Sequence, residues 1–482
     1  MILSPTQAVA LLLEIPAFSA VVLLALPGYV WPARLNAFAC ALTFACSLAL
    51  VSGRTQISGY LFVDDLNAVF LVLTTFVGMT TAAYSASYLG FEIASEKLKL
   101  KYARFYHAMY QAMMFAMNLA LLADNIGLIW VAVELATLTS VLMVGIYRTS
   151  AALEAAWKYF SLGSVGIALA LFGTILVYLA AQPIVGEGAD AMVWSILVTR
   201  ASEFSPDLLN VAFVFLILGY GTKVGLVPMH AWLPDAHSEG PTPIAAVLSG
   251  LLLNVALYAV LRFKMLLSAN AQALDPGPLL AALGLLSLIF ASFMLYRRND
   301  IKRLFAYSSI EHMGIAAFAF GMGGSLANFA GLLHMTMHSL TKSAIFFAVG
   351  HIVQARGTQE ISRIRGLTAS DPALGWGLVA GVAAIAGLPP FGIFMSEFLV
   401  ISSTFARAPL LAIPLAFGIV VAFGALALRV TGLAFGSPEG QSRPVEASIA
   451  PLYVHLALAL AAGVWLPPAL VGWFQAVARM LG

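Results

Sequence analysis

Charged residues are scarce in this chain: Asp, Glu, Lys and Arg together make up only 10% of its 482 residues. Hydrophobic residues make up 61%, and the mean hydropathy is +0.94. This composition excludes an ordinary soluble domain. The net charge of +2 gives no broad field of one sign, so we expect no nucleic-acid partner. We predict a polytopic membrane protein that contacts the lipid bilayer.

Cysteine is nearly absent as well. The two cysteines, Cys40 and Cys46, lie on one predicted membrane helix, where their spacing fits neither a disulfide nor a CxxC metal or cluster site. We therefore expect no redox chemistry, no metal and no cofactor in this chain, and we assign it no catalytic residue. No basic region precedes the first apolar segment at Thr6, which we interpret as a retained helix and not as a cleaved signal peptide.

Apolar segments of about 17–25 residues recur from end to end, each long enough to cross a hydrocarbon core of about 30 Å. The predicted fold class is all-α, with about fourteen membrane helices. We expect the helices at 207–227 and 372–406 to be discontinuous, because glycine and proline interrupt both of them. The predicted helices lie near residues 6–26, 33–51, 60–89, 107–123, 126–146, 152–181, 207–227, 243–264, 277–296, 302–322, 326–355, 372–406, 409–434 and 451–476.

The order of these helices indicates an internal symmetry. Residues 107–264 and 265–434 each hold five predicted helices, with the broken helix in the corresponding position. Because five is odd, consecutive units have opposite topology, which is the inverted-repeat arrangement of many transporters. Residues 1–106 form three further helices and residues 435–482 hold the last one, so we predict four segments in total.

The loops differ in their content of lysine and arginine. One side of the predicted membrane collects most of them, including the clusters Lys97–Arg104, Arg297–Arg303 and Arg356–Arg365 and, near the C-terminus, Arg443. The richer side is cytoplasmic by the positive-inside rule, which places both termini on the periplasmic side of a bacterial plasma membrane. The poorer side has Arg54, Arg200, Arg262, Lys264, Arg407 and Arg479.

The segment Thr222–Pro243 departs most from the apolar background. It places Lys223 at membrane depth and then interrupts the helix with Pro228 and Pro234. A break frees backbone groups that hydrocarbon cannot satisfy, so it is tolerated only where protein or water surrounds it. A broken helix with a buried ionisable group therefore indicates an ion path.

Glu134 is the expected partner of Lys223. It lies in the middle of a predicted helix, where an isolated charge costs at least about 2.5 kcal/mol. A carboxylate that moved toward or away from the ammonium would make Lys223 take up or release a proton. The alternative is a static pair that holds helices together. Lys158 lies one turn from Glu154, a spacing that permits a simple pair on the helix surface. The other interpretation is that Lys158 lies deeper and modulates the Glu134–Lys223 pair.

His334, His338 and Lys342 follow one another at intervals of four residues and so form one stripe of a helix. Histidines at this spacing suit a hydrated proton wire, and they also suit zinc or simple interhelical hydrogen bonds. Because no HExxH motif or third ligand accompanies them, we favour the proton wire. Glu397 follows the second broken helix and is the expected outlet, with a helix-capping role as the alternative.

Several further polar residues are candidates for an auxiliary path. His230, Asp235, His237 and Glu239 follow the first break, where they would form a proton inlet or a solvated boundary. Glu311, beside His312, is a weaker candidate.

At this point the motifs are recognisable. Thr222–Pro243 reads TKVGLVPMHAWLPDAHSEGPTP, residues 130–138 read WVAVELATL, and residues 334–346 read HMTMHSLTKSAIF. Together they resemble the antiporter-like proton-translocating subunits of respiratory complex I and of group 4 membrane-bound hydrogenases, the M-type subunit most of all. Residues 151–174 look most like the F component of hydrogenase-4. The resemblance covers roughly residues 60–430.

The resemblance implies fourteen helices with two inverted five-helix units around a hydrophilic axis. It implies a non-catalytic, proton-pumping subunit that assembles with further antiporter-like subunits and with a peripheral hydrogenase or dehydrogenase arm. Glu134 and Lys223 match the family's first charged pair. His334, His338 and Lys342 match positions of the second unit, and Glu397 matches the terminal group.

One departure concerns the eighth helix, where complex I subunits carry a lysine and this chain has Asn254. The amide holds water but carries no charge near neutral pH. Proton transfer between the two units then runs through water or Lys342, or the path is weaker. The chain also ends without the long lateral helix that one complex I subunit type has.

Three functions stay open at this stage, because one fold serves all of them. The first is a proton-pumping subunit driven by an attached oxidoreductase. The second is a subunit of a cation/proton antiporter. The third is a structural membrane subunit that anchors a catalytic arm or serves an inorganic-carbon uptake partner. A path lined by lysine and histidine favours H⁺ over Na⁺, because cationic groups do not ligate sodium.

Overall fold

The computed structural model describes residues 3–51, 53–57, 60–438, 445 and 448–482. Arg443 and parts of the segment 435–482 therefore lie outside the described residues. Nearly all of the described chain is helical. The helices are α1 (Pro5–Ala25), α2 (Val30–Leu48), α3 (Asp65–Ala94), α4 (Leu100–Leu122), α5 (Ile126–Val144), α6 (Ser150–Val185), α7 (Trp194–Arg200), α8 (Pro206–Val224), α9 (Trp232–Glu239), α10 (Thr242–Val247), α11 (Leu253–Ser268), α12 (Gly277–Leu295), α13 (Ile301–Met322), α14 (Ser325–Arg356), α15 (Leu367–Ser370), α16 (Pro372–Ile385), α17 (Gly392–Arg407), α18 (Pro409–Ala434), α19 (Ala450–Val464) and α20 (Pro468–Met480).

The remaining regular elements are short. Strands β1 (Thr55–Ile57) and β2 (Leu61–Val63) form an antiparallel hairpin in front of α3. A π-helical turn at Leu248–Leu252 joins α10 to α11, so that Thr242–Ser268 runs as one helical segment. Short 3₁₀ turns lie at Gly145–Tyr147, Ala189–Met192, Ala201–Glu203 and Ile361–Arg363.

The architecture is that of a membrane protein. Within the described part of the chain, eight helices are long and apolar enough to cross a bilayer, and α19 with α20 makes a ninth if the bent pair counts as one span. The sequence-based count of fourteen stays a prediction. Outer helices expose large apolar side chains such as Phe18, Trp157 and Leu410, as expected of surfaces that face lipid.

The structure corrects two of the predicted segments and adds one helix. The helix predicted at 60–89 begins only at Asp65, because Leu61–Val63 pairs with β1. The single helix predicted at 451–476 is wrong: α19 and α20 meet at an angle of 81°. The prolines at 467 and 468 explain this bend, because proline at the start of a helix cannot continue the one before it. The short helix α7 was not predicted.

Both predicted helix breaks are confirmed. The first separates α8 from α9, and its freed backbone groups find protein partners. The Val227 amide donates to Ser287 Oγ of α12 over 2.9 Å, and the indole of Trp232 donates to the carbonyl of Thr222 over 2.8 Å. The second break separates α16 from α17, where Gly387 takes a φ of +69°. Interrupted helices thus persist here because neighbouring helices satisfy the interruption.

Three cations counted above as loop residues are buried. Arg262 and Lys264 lie inside α11 with relative exposures of 0% and 5%, and Lys302 in α13 is 2% exposed. Lys302 donates to the backbone carbonyls of Ser238 and Gly240 over 3.1 and 2.9 Å. The assignment of these three to exposed loops is therefore wrong, and the orientation depends on the other clusters.

Candidate functional site

The predicted pairing of Glu134 with Lys223 is confirmed. Lys223 Nζ, on the last turn of α8, lies 3.3 Å from Glu134 Oε2 on α5. The lysine side chain is 1% exposed and the glutamate side chain 17% exposed. One ammonium and one carboxylate therefore face each other beside the first helix break, in a place from which bulk water is largely excluded.

A glycine on α6 makes room for this lysine. A Cβ atom added at Gly163 would lie 2.8 Å from Lys223 Nζ, closer than real Cβ atoms approach other heavy atoms. The ammonium thus sits between α5, α6 and α8 with a backbone surface on one side. Any larger residue at position 163 would displace the ammonium from its carboxylate.

The second group of buried ionisable residues contains three histidines. His312 Nδ1 on α13 lies 3.1 Å from His334 Nε2 on α14, and His334 Nδ1 lies 2.9 Å from Ser396 Oγ on α17. The ring of His338 is 5.6 Å from that of His312. All three histidines are at most 1% exposed. The histidines predicted to share one face of α14 therefore contact His312 of α13. The sequence had indicated His312 only as a weaker candidate.

Two carboxylates complete this group. Glu311 is 2% exposed and Glu397 is 6% exposed. Ligand atoms of Glu311, His312 and Glu397 all lie within 4.8 Å of one another. Glu397 packs directly against Gly387 in the second break, where no side chain would fit. The break thus positions Glu397 opposite the acidic residue of α13.

Lys342 lies at the other end of the histidine stripe. It is completely buried, and its Nζ donates to the carbonyl of Phe305 over 2.6 Å. Lys342, the three histidines and the two carboxylates are therefore all buried in one region, although neither ring nitrogen of His338 makes a hydrogen bond among the described residues.

Asn254 contacts this region from α11. Its Nδ2 donates to Ser339 Oγ over 2.6 Å and to the Gly250 carbonyl over 3.2 Å, while its Oδ1 makes no hydrogen bond among the described residues. Ser339 directly follows His338 and donates to the same carbonyl over 2.6 Å. The residue thus lies beside α14, where the sequence analysis expected a link between the two units.

The auxiliary residues after the first break do not gather in one place. Lys158 Nζ lies 2.7 Å from Glu154 and 3.0 Å from Asp235, with a side chain 48% exposed. Asp235 also pairs with Arg303 over 3.0 Å. The surface pair with Glu154 is therefore confirmed, and the deeper position beside the Glu134 pair is wrong, because the long side chain of Lys158 leaves the helix toward α9.

His230, His237 and Glu239 have three different surroundings. His230 is half-buried between the rings of Phe290 and Tyr307. Glu239 lies near the surface, 3.9 Å from Arg303. His237 is completely buried, with Nδ1 2.8 Å from the Leu233 carbonyl. Of these three residues, only His237 lies fully within the interior.

Sequence reasoning missed a cavity of about 330 Å³ that contains several charged side chains. Glu92, Glu239 and Lys302 line it, among others. Glu92 accepts a hydrogen bond of 2.8 Å from Gln354, whose Oε1 lies 3.1 Å from His351 Nδ1. The predicted helix at 60–89 ended before Glu92, and Lys302 was the first residue of the predicted helix at 302–322. Only the packing of α3, α13 and α14 brings them together.

The fold and these two buried groups are those of an antiporter-like membrane protein. Residues 123–423 match the family described as "NADH:quinone oxidoreductase/Mrp antiporter, TM". The chain belongs to this family.

Relatives of known name agree with this assignment. The hydrogenase-4 component F homolog of Methylacidiphilum infernorum (isolate V4) is 60% identical over 441 residues, which cover 92% of this chain and 93% of that protein. Among solved structures, the membrane-bound sulfane sulfur reductase, an archaeal respiratory membrane complex, contains a chain with a TM-score of 0.85 and 22% identity, covering 98% of this chain and 97% of that one. A chain of the Mrp complex from Dietzia sp. DQ12-45-1b has a TM-score of 0.83 and 19% sequence identity, and the match covers 99% of this chain and 98% of that one. At these identities the solved structures establish the fold alone.

Proposed function

We propose that this chain is the proton-translocating membrane subunit of a redox-driven complex and contains no redox centre of its own. The observation that carries the proposal is the location of the two buried ionisable groups, each next to a break in a membrane helix. Maintaining ionisable groups in a dry interior is costly, so their recurrence at two breaks favours a transport role over a packing role.

The proposed route uses Glu134 and Lys223 in the first unit. In the second unit it uses the series from Lys342 through His338, His312 and His334 to Glu397. Lysine and histidine hold or release protons but do not ligate Na⁺, which favours H⁺ as the ion. The cavity lined by Glu92, Lys97 and Lys302 supplies an opening toward the lysine-rich side. Asn254 and Ser339 provide hydrogen-bonding groups between the units.

We further propose fourteen membrane spans with two inverted five-helix units at 107–264 and 265–434, and both termini on the periplasmic side of a bacterial plasma membrane. The similarity to a hydrogenase-4 component F homolog supports a peripheral hydrogenase arm and further antiporter-like subunits as partners. An NADH-dehydrogenase-type arm is the alternative within the same class.

A subunit of a cation/proton antiporter is the second candidate, supported by the likeness to a chain of the Mrp complex. The two candidates differ in their driving force. A redox-driven subunit translocates protons only during electron transfer by its attached arm. An antiporter exchanges protons for cations along an imposed cation gradient.

The test uses the purified parent complex and a Lys342→Met variant in liposomes that contain a pH-sensitive dye. We expect the variant to lose redox-driven proton translocation by at least about tenfold, because methionine cannot carry the proton that the route passes through Lys342. Lys264→Met is the matched control, since Lys264 is also a buried lysine but donates to the Leu481 carbonyl, away from the proposed route. Normal translocation in Lys342→Met would contradict the proposal. Translocation driven by a cation gradient without electron transfer would favour the antiporter.

A further inference from the structure

The group formed by Glu311, His312 and Glu397 has unsatisfied ligand atoms. Glu311 Oε2 and His312 Nε2 lie 3.2 Å apart, yet neither makes a hydrogen bond with acceptable geometry among the described residues. Both side chains are at least 98% buried, since their relative exposures are 2% and 1%. Buried polar atoms are normally hydrogen-bonded, so these two atoms are available to bind a ligand.

The charges of this group also call for a cation. Two carboxylates whose oxygens lie within 4.8 Å of each other and of a histidine nitrogen repel one another when both are ionised in a dry site. One divalent ion would neutralise both carboxylates and accept the lone pair of a neutral imidazole. Nitrogen and carboxylate ligands together suit zinc and its first-row neighbours, whereas Ca²⁺ and Mg²⁺ prefer oxygen alone.

The histidine is already oriented for such an ion. His312 Nδ1 faces His334 Nε2 at 3.1 Å, which leaves His312 Nε2 directed at the carboxylates. His334 is held in turn by Ser396 Oγ at 2.9 Å. A ligating histidine whose other nitrogen is fixed by a hydrogen bond is typical of metal sites. The sequence analysis considered metal only at His334 and His338, whereas the convergent donors include neither.

We propose that Glu311, His312 and Glu397 bind one divalent transition-metal ion of the Zn²⁺ class, with one coordination position left open; because His312 and Glu397 also belong to the proposed proton route, metal binding and proton transfer exclude each other at this site. Ligand atoms on a tetrahedral zinc ion are about 3.3 Å apart, so rotations of the two glutamate side chains suffice to close the site.

The test measures binding without turnover, so it can fail or succeed independently of the proposed proton translocation. The full-length, untagged chain in lipid nanodiscs is stripped with a chelator and titrated calorimetrically with Zn²⁺. We expect one tight site per chain. Glu311→Gln and His312→Gln should each weaken it by more than about 100-fold, because each removes a donor. His334→Gln, a positioning residue, should weaken it by roughly 10–100-fold.

His455→Gln is the matched control. His455 is also fully buried, but its two nitrogens already face Thr80 Oγ1 at 2.8 Å and the Leu340 carbonyl at 3.0 Å. This variant should bind Zn²⁺ as the parent does. Equal binding by the parent, Glu311→Gln and His312→Gln would overturn the proposal, as would equal weakening by His455→Gln.

A spectroscopic readout on the parent alone covers the case in which a variant does not fold. X-ray absorption at the zinc edge should show one imidazole nitrogen and carboxylate oxygens at about 2.0–2.2 Å. A spectrum with no imidazole contribution, or one with several imidazoles and no carboxylate, would overturn the assignment.

Discussion

The chain contains two buried ion pairs that are built in opposite ways. Arg262 on α11 donates two hydrogen bonds of 2.7 and 2.8 Å to Asp64 and a third to the hydroxyl of Tyr258. Its guanidinium also lies over the rings of Phe62 and Trp194. Lys223 faces Glu134 through a single contact of 3.3 Å.

The difference separates a pair that fixes the fold from one that can change its state. A guanidinium keeps its charge under all ordinary conditions, and its planar fork matches a carboxylate at two points. Asp64 also accepts a hydrogen bond from the amide of Asn67 and so begins α3. A lysine can lose its proton, and a single long contact is readily broken. We therefore assign structure to the first pair and transport to the second.

The largest expected effect is that of Lys223→Met on transport. We expect redox-driven proton uptake into proteoliposomes to be abolished, because the variant has no ammonium to switch. The amount of assembled complex and its melting temperature should stay close to those of the parent. Proton uptake at the parent's rate would contradict the assignment of transport to the Lys223–Glu134 pair. The assignment would also fail if Lys223→Met did not assemble while Arg262→Met did.

The second prediction concerns stability. Arg262→Met should destabilise the folded protein by about 3 kcal/mol or more, since it removes two hydrogen bonds to Asp64, one to Tyr258 and the contacts with two rings, whereas Lys223→Met removes a single long contact. Thermal unfolding of the purified protein measures the change. Arg54→Met is the control: Arg54 pairs with Asp65 at the surface, with its side chain 32% exposed, and should contribute no more than about 1 kcal/mol. Similar melting temperatures for the two variants would refute the structural role of Arg262.

A smaller effect is expected of Glu134→Gln. The amide keeps the shape and can still accept a hydrogen bond from Lys223, but it removes the attractive charge. We expect translocation to fall roughly tenfold, the factor that corresponds to about 1.4 kcal/mol of lost interaction. Rates of proton uptake per electron transferred measure this loss. If Glu134→Gln unfolds the subunit while Lys223→Met does not, the pair is structural after all.

The smallest and most specific effect concerns a third charge placed between the units. In Asn254→Lys, the new ammonium and the ammonium of a neighbouring buried lysine would repel each other. At a separation of about 7 Å and an effective dielectric of about 20, the repulsion is about 2 kcal/mol. The number of protons translocated per electron and its pH dependence should change, even at an unchanged rate of electron transfer. Asn254→Ala is the control without charge. Pumping equal to the parent's in both variants would place position 254 off the route.

The sequence by itself located the helices closely, because apolar length and the local chemistry of glycine and proline determine both the spans and the breaks. It also identified the Glu134–Lys223 pair, since few buried charges were available and each required a partner. Two consecutive prolines indicated the bend before Pro468. The prediction of one helix at 451–476 relied on the length of the apolar segment and overlooked them.

Tertiary structure alone decided which polar residues meet across helices. Glu311 and Glu397 are distant along the chain, and their convergence depends on how α13 and α17 are rotated about their axes. The same holds for Arg262 and Asp64, and for Lys158, whose side chain turned to a surface partner. Helical periodicity fixes which residues share a face of one helix, but the partner that this face meets is set by packing among many helices.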